Sequence, residues 1–314
     1  MVSKGTSNSH EPVLVEQVIG LIATGPSGAY LDLTVGAGGH LKALSDRLGE
    51  DARLYGLDRD ASAVELAGAN LRECPQLKAL VHASYSGIGD VVRQFEDQRF
   101  DGILMDLGIS SVQLDDSERG FSFRFDGPLD MRFDAGSGGP TAADLVNRLS
   151  ESQLAAIVRD FGEQANASGV AKAIVKERRK GMILTTAQLK HAVLSVVKPP
   201  HENKALARVF QALRIAVNEE LEHLARVLPQ AVALLASGGR LAVISYHSLE
   251  DRLVKRFFQR EAKGCVCPDS FDVCMCGRQP VVRILTRRVI TAGREEKERN
   301  PRSRSARLRA VERL

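Results

Sequence analysis

The chain has 314 residues, enough to bury a large core in one or two domains, and its 44% hydrophobic and 26% charged content is ordinary for a globular protein. No apolar run approaches the roughly 18 residues of a membrane span. Lys4 is followed by Gly-Thr-Ser-Asn-Ser-His with no apolar stretch, which argues against a signal peptide. A cytoplasmic protein with a disordered leader over residues 1–9 and no membrane partner is expected. The net charge of +4 is unevenly placed. Residues 283–314 carry eleven Arg/Lys against four Glu, and residues 141–208 carry eleven basic against six acidic side chains. Two basic regions on a near-neutral body point to a polyanion partner, with a solvated Arg-rich tail as the alternative.

In chain order, a helix over Val13–Ala23 precedes an apolar strand, Ala29–Leu33. That strand runs into a glycine-rich turn within Tyr30-Leu-Asp-Leu-Thr-Val-Gly-Ala-Gly-Gly-His40. Helix Leu41–Leu48, strand Leu54–Leu57, helix Ala61–Leu71 and strands Ala79–His82 and Phe100–Met105 follow. This alternation predicts an α/β protein with a parallel, doubly wound, Rossmann-like sheet. The next strand, Arg240–Ser245, comes far later than a simple crossover needs. The intervening chain reads as a Gly/Asp/Phe-rich loop and then an all-α insert. Its helices start at Thr141-Ala-Ala-Asp144, Glu151, Ser168 and Thr185-Thr-Ala-Gln188, and the last ends before Lys198-Pro199-Pro200. The sheet domain is expected over 10–110 and 209–314 and the insert over 111–208, with Arg208–Ala236 returning to the sheet. Val281–Leu285 and Ala306–Val311 would close the sheet as an antiparallel pair.

Ligands in such sheets lie beyond the carboxyl ends of the strands. The turn offers Gly36 and Gly38 of a G-x-G-x-x-G fingerprint, but Leu41 stands at the third glycine's place and Gly39 comes early. An acid, Asp58, ends the second strand. A ligand with a ribose but no pyrophosphate needs the acid and not the third glycine, so S-adenosylmethionine (SAM) is favoured over NAD. Asp58 would accept the ribose hydroxyls. Gly38, Gly39 and His40 would offer backbone N–H groups to a carboxylate at a helix N-terminus, and Tyr85 could cover the adenine. Asp106 ends the fourth strand, where a carboxylate could hold and polarise an exocyclic amine. Turn or cap formation is the structural alternative for Asp106, and a core position is the alternative for Tyr85. After the fifth strand, Ser245 or Ser248 could cap a helix, and His247 remains a substrate-side candidate.

The loop Glu118-Arg-Gly-Phe-Ser-Phe-Arg-Phe-Asp-Gly-Pro-Leu-Asp-Met-Arg-Phe-Asp134 interleaves aromatics with arginines. Phe121, Phe123 and Phe125 with Arg119, Arg124 and Arg132 could stack a base and hold phosphates, or form an apolar lid. Cys265-x-Cys267 and Cys274-x-Cys276 could supply four thiolates, but C-x-x-C spacing is absent, so reduced thiols and no metal are expected. Cys74 should pack in the interior.

Three segments together resemble the bacterial RsmH (MraW) methyltransferases. They are Thr34-Val-Gly-Ala-Gly-Gly-His40; Arg119-Gly-Phe-Ser-Phe-Arg124 with Asp126-Gly-Pro-Leu-Asp-Met-Arg132; and Phe210-Gln-Ala-Leu-Arg-Ile-Ala-Val-Asn218 with Ile244-Ser-Tyr-His-Ser-Leu-Glu-Asp251. The closing Asn300-Pro-Arg-Ser-Arg-Ser-Ala-Arg-Leu-Arg309 is similar too, so the resemblance spans about residues 10–314. It implies a class I SAM-methyltransferase sheet with an all-α insert. The implied reaction is methyl transfer to N4 of a cytidine in the P-site region of 16S rRNA, within the small ribosomal subunit. It implies SAM contacts from Gly38, Gly39, His40, Asp58, Tyr85, Asp106 and Gln113. Asp106, His247 and Asn218 are the catalytic candidates, and Arg119, Phe121, Phe123, Arg124, Arg132, Arg302 and Arg304 the substrate-binding ones. Tyr85 and Tyr246 stand where many members have Phe. The alternatives are a methyltransferase of a small molecule or protein, and a non-catalytic rRNA-binding assembly factor; a homodimer is among the partner readings.

Overall fold

Every strand that the apolar runs predict forms, and all seven join one sheet. The computed structural model describes residues 12–109, 113–114, 116–268 and 270–314, so the expected leader at 1–9 lies outside the described residues. The strands are β1 (Gly28–Asp32), β2 (Ala52–Asp58), β3 (Leu77–His82), β4 (Phe100–Asp106), β5 (Leu235–Ser245), β6 (Val282–Ile284) and β7 (Arg307–Arg313). Their order is β3-β2-β1-β4-β5-β7-β6. The first five run parallel, and β7 pairs antiparallel with both β5 and β6. A mostly parallel sheet with this order and helices packed on it is the class I, Rossmann-like methyltransferase fold.

Burial on both faces explains why the strands read as continuous apolar runs. Along β4, Ile103 and Met105 belong to one buried cluster and Leu104 to another. The first cluster takes Val227, Leu228 and Ala231 from α10 (Glu220–Leu234) and Val254, Phe257 and Phe258 from α11 (Ser248–Lys263). The second takes Val18 and Ile22 from α1 (Val15–Ile22) and Leu41 and Leu44 from α2 (Gly39–Arg47). Cys74 is buried in this second cluster. Helices α3 (Ala61–Asn70) and α4 (Ile88–Val92) complete the crossovers of this half.

The chain forms two compact units, one of residues 1–108 with 223–314 and one of residues 109–222. The second unit is helical: α5 (Ala142–Arg148), α6 (Glu151–Asp160), α7 (Ala167–Arg178), α8 (Thr186–Leu194) and α9 (Glu202–Asn218). Capping boxes at Thr141/Asp144, Ser150/Gln153 and Thr185/Gln188 start three of them, each side-chain pair satisfying backbone N–H groups that a helix start leaves open. The unit has its own core, which includes Met131, Val146, Leu154, Val158, Ile174 and Leu189. Its boundary differs from the expected 111–208. Val209, Phe210 and Leu213 of α9 are buried in this helical core, so the chain after Arg208 does not return to the sheet until α9 has ended. The apolar stripe of α9 cannot be split between two cores, and the whole helix follows it.

Candidate active site

Three parallel strands of the sheet unit end on aspartate: β1 on Asp32, β2 on Asp58 and β4 on Asp106. Strand order reverses between β1 and β4, which is where open sheets of this kind bind ligands. Thr34 ties these two ends together. Its hydroxyl accepts from the Asp106 backbone N–H at 2.7 Å and faces Asp32 Oδ1 at 3.3 Å, while its backbone N–H donates to the same oxygen at 2.9 Å. Asp32 Oδ2 is buried with no hydrogen-bond partner. Burial, with Asp106 and Asp58 adding like charge, pushes Asp32 up to about 6 against the pull of His40 and the Thr34 N–H. A buried carboxylate with an orphaned oxygen invites a positive charge or a donor.

The glycine-rich turn follows β1. Gly36 and Gly38 have φ of 53° and 85°, left-handed values that glycine adopts without strain. A Cβ on Gly39 would stand 2.9 Å from Pro12, so that glycine answers to packing. Gly38 is the N-cap of α2 and has no side chain to cap it. The first-turn N–H groups, with the positive end of the helix dipole, therefore suit an anionic group.

Asp58 holds this turn in place: Oδ2 accepts from Gly36 N–H at 2.9 Å and Oδ1 from Asp60 N–H at 3.0 Å. Each oxygen keeps a second acceptor position. Burial raises its pKa, and the two N–H bonds oppose that shift. Tyr85, past β3, is buried against the core and stands edge-on to His223 at 6.5 Å between ring centroids. It is a core aromatic, one of the two readings its position allows.

Asp106 is the most perturbed of the three acids. Burial pushes it up to about 7; the Tyr246 hydroxyl, which donates to Oδ1 at 2.8 Å, pulls it down, and Glu250 pushes it up. Tyr246 is itself driven well above its ordinary value by burial and by Asp106, so it stays a phenol donor. His40 is buried, its Nε2 3.0 Å from the Val13 carbonyl and its Nδ1 3.8 Å from Asp106 Oδ2. A carbonyl only accepts, so Nε2 carries the proton. Burial lowers the His40 pKa against the opposing influence of Asp32 and the Val13 carbonyl.

His247 is buried and is itself the N-cap of α11, in a capping box with Glu250; neither Ser245 nor Ser248 caps this helix. Its Nδ1 accepts from the Glu250 N–H, and Nε2 lies 3.1 Å from Glu250 Oε1 in an alignment too poor for a hydrogen bond. Glu250 Oε2 in turn accepts from Tyr246 N–H at 2.9 Å. His247 thus helps to fix the backbone of the residue that holds Asp106.

The basic tail divides. Arg307 and Arg309 converge on Asp251, with Arg309 Nε at 2.6 Å, and this pair keeps the Asp251 carboxyl low although burial opposes it. Arg302 is half-buried within electrostatic reach of Tyr246, and Arg304 is exposed.

Within the helical unit the Phe/Arg loop largely turns inward. Phe121 stacks on Phe133 at 5.2 Å, and Phe123 meets Phe210 edge-on at 5.5 Å. Arg119 donates to the carbonyls of Arg132 and Phe133 and lies over the Phe121 ring. Arg132 makes a two-bond pair with Asp130 at 2.7 and 2.8 Å. Arg124 and Phe125 are exposed. Asn218 spends its amide on backbone: Oδ1 accepts from Phe133 N–H, and Nδ2 donates to the carbonyls of Met131 and Arg214. Met131 sits at φ 63°, an unfavourable value for a side chain with a Cβ, and Asn218 braces it. Gln113 is buried in this unit.

Sequence reasoning places Asp32 at the strand-end cleft without a role of its own, and passes over Thr34 and the Tyr246 hydroxyl. The signal was available in Asp32 and Thr34, which flank the end of β1 as Asp106 ends β4.

Fold and strand-end acids together define a class I methyltransferase. The chain belongs to the MraW methylase family, which it matches over residues 7–314. The "Ribosomal RNA small subunit methyltransferase H" of Trichlorobacter lovleyi is 45% identical over 308 residues, 97% of this chain and 98% of the relative. The protein of the same name from Thermomicrobium roseum is 47% identical over 309 residues, 98% and 94% of the two chains.

Proposed function

We propose that this protein transfers a methyl group from SAM to the exocyclic N4 amine of a cytidine in the P-site region of 16S rRNA. The observation that carries the reading is the acid-lined strand edge. Asp32 keeps an orphaned buried oxygen, and burial raises the pKa of Asp106. SAM brings a sulfonium, and with it the electrophilic methyl group. Its carboxylate suits the uncapped start of α2, and its ribose hydroxyls suit the second acceptor positions of Asp58. Gly38, Gly39, His40, Asp58 and Asp106 form the proposed cofactor set within the sheet unit. The names of the relatives support rRNA of the small subunit as substrate, and the family resemblance supports cytidine N4.

An exocyclic amine delocalises its lone pair into the ring, so the protein's task is to hold it in line and polarise an N–H. Asp106 does this as a carboxylate, with Oδ1 fixed by Tyr246 and the strand end fixed by Thr34. His40 and His247 position; the proton that the amine loses on methylation passes to Asp106 and then to solvent. The helical unit recognises substrate through exposed groups such as Arg124 and Phe125, and the tail adds Arg302 and Arg304. The test is mass-spectrometric mapping of 16S rRNA from cells lacking the protein and from cells restored with the wild-type or Asp106→Ala chain. One N4-methylcytidine should vanish, return with wild type and stay absent with Asp106→Ala. An unchanged rRNA methylation map would overturn the reading.

A further inference from the structure

Between α11 and β6 the chain crosses residues 264–281 with no helix or strand among the described residues. Its ends are pinned: Val281 N–H donates to the Glu261 carbonyl at 2.9 Å, and the Arg278 guanidinium pairs with the Glu261 carboxylate. Its apolar side chains do not form a core. Phe271, Val273 and Met275 are 54%, 70% and 75% exposed. Long segments without secondary structure or a core of their own are usually functional or held by something else.

What converges inside this loop is sulfur. Cys265, Cys267, Cys274 and Cys276 place their Sγ atoms all within 4.8 Å of one another, with Cys274–Cys276 at 3.6 Å and Cys276–Cys265 at 3.8 Å. These separations are far beyond the roughly 2.05 Å of a disulfide. Nor do the four thiols pack as apolar groups, since two are exposed and two half-buried, whereas Cys74 is buried in the sheet core. A tetrahedron with metal–sulfur bonds of about 2.3 Å has sulfur–sulfur edges of about 3.8 Å. Backbone donors also point at sulfur. Met275 N–H reaches Cys267 Sγ at 3.3 Å, and the N–H groups of Val266 and Arg278 face Cys276. Such bonds favour thiolate over thiol and commonly surround metal-bound cysteine. Gly264 and Gly277, with φ of 71° and 61°, flank the two C-x-C pairs, whose sulfurs converge in space. Spacing along the chain could not anticipate that.

We propose that Cys265, Cys267, Cys274 and Cys276 bind one zinc ion as a tetrathiolate that folds this loop. Each thiol gives up its proton to solvent as its sulfur bonds the ion, so binding strengthens with pH. Four-sulfur sites also take iron. In a multi-iron cluster the four thiolates are spread over two or four irons and lie further apart, which the mutual 4.8 Å limit disfavours. Zinc is redox-inert and suits a structural staple on a loop distinct from the strand-end acids.

The test is elemental analysis of the full chain, purified reduced, without a metal-affinity tag and without added metal. About one zinc and negligible iron per chain are expected. Cys274→Ser with Cys276→Ser should retain less than a tenth of that, and Cys74→Ser should retain all of it. Because the double variant could misfold, cobalt(II) is also titrated into metal-stripped wild-type chain. Intense thiolate-to-cobalt absorption with tetrahedral visible bands should appear at one equivalent and disappear on adding zinc. Iron instead of zinc, equal zinc in wild type and a folded double variant, or no tetrathiolate cobalt spectrum would each overturn the assignment.

Discussion

The strand-end acids of the sheet unit and the Phe/Arg loop of the helical unit look equally functional as sequence, but the fold treats them oppositely. At the sheet edge, Asp32 keeps an orphaned buried oxygen and Asp106 is pushed up to about 7. In the loop, Arg132 is paired with Asp130, Arg119 is bonded to carbonyls, and Phe121 and Phe123 are packed. Unspent polar capacity marks a site awaiting a ligand, and spent capacity marks a scaffold. The loop's apparent RNA-binding pattern is mostly the helical unit's own core and its internal staples. Arg124 and Phe125 are the exceptions.

The comparison predicts that acids at the edge control chemistry and loop residues control stability. The largest expected effect is on Asp106→Ala, which should lower single-turnover methylation about 100- to 1,000-fold at saturating SAM, with Asp106→Asn retaining a small fraction. Near wild-type rates for the alanine variant would remove Asp106 from the chemistry. Next, Phe121→Ala should cost about 3–5 kcal/mol of unfolding free energy, read by denaturant titration. Phe125→Ala should leave stability unchanged and weaken RNA binding by about 1–3 kcal/mol if it stacks a base. The reverse pattern would mean that the loop faces substrate through Phe121. Asp58→Ala should weaken SAM binding at least about tenfold by calorimetry, since hydrogen bonds to a charged acceptor are worth about 1.5–3 kcal/mol. Unchanged affinity in a folded variant would leave Asp58 only as the brace of the Gly36 turn. Smallest, Arg302→Gln with Arg304→Gln should flatten the slope of log K for RNA against log salt by up to about two units and leave SAM affinity unchanged. Arg307 and Arg309 are left intact because they hold Asp251.

Much of this was legible in the chain. Apolar runs of two-sided strands, capping boxes such as Thr141/Asp144, and acids closing β1, β2 and β4 are local signals that the fold obeys. Three features were not legible because they depend on what lies across space. His247 looks like a catalytic histidine, yet its neighbour Glu250 makes it a helix cap. Asn218 looks like a motif's reacting end, yet it braces Met131 across 87 residues. The aromatics of the Phe/Arg loop choose between base and core according to partners such as Phe210, far along the chain.

The central claim is that Asp106 acts as a carboxylate whose charge is set by burial and trimmed by Tyr246. The raised values of Asp32 and Asp106 mean that the free folded chain holds more protons than the unfolded one above the ordinary carboxylate range. Its stability should therefore fall as pH rises toward about 7 and level off beyond. Methylation should do the opposite and rise with the ionised form. The direct measurement is kcat/KM for SAM from pH 5.5 to 9, which reports the groups of the free chain, for wild type and Tyr246→Phe. Wild type should climb to a plateau with a midpoint near 7. Tyr246→Phe removes a bond that favours the ionised form, so its midpoint should move alkaline while its plateau stays close to wild type. A flat wild-type profile across this range, or a Tyr246→Phe midpoint unmoved or shifted acid, would contradict the account.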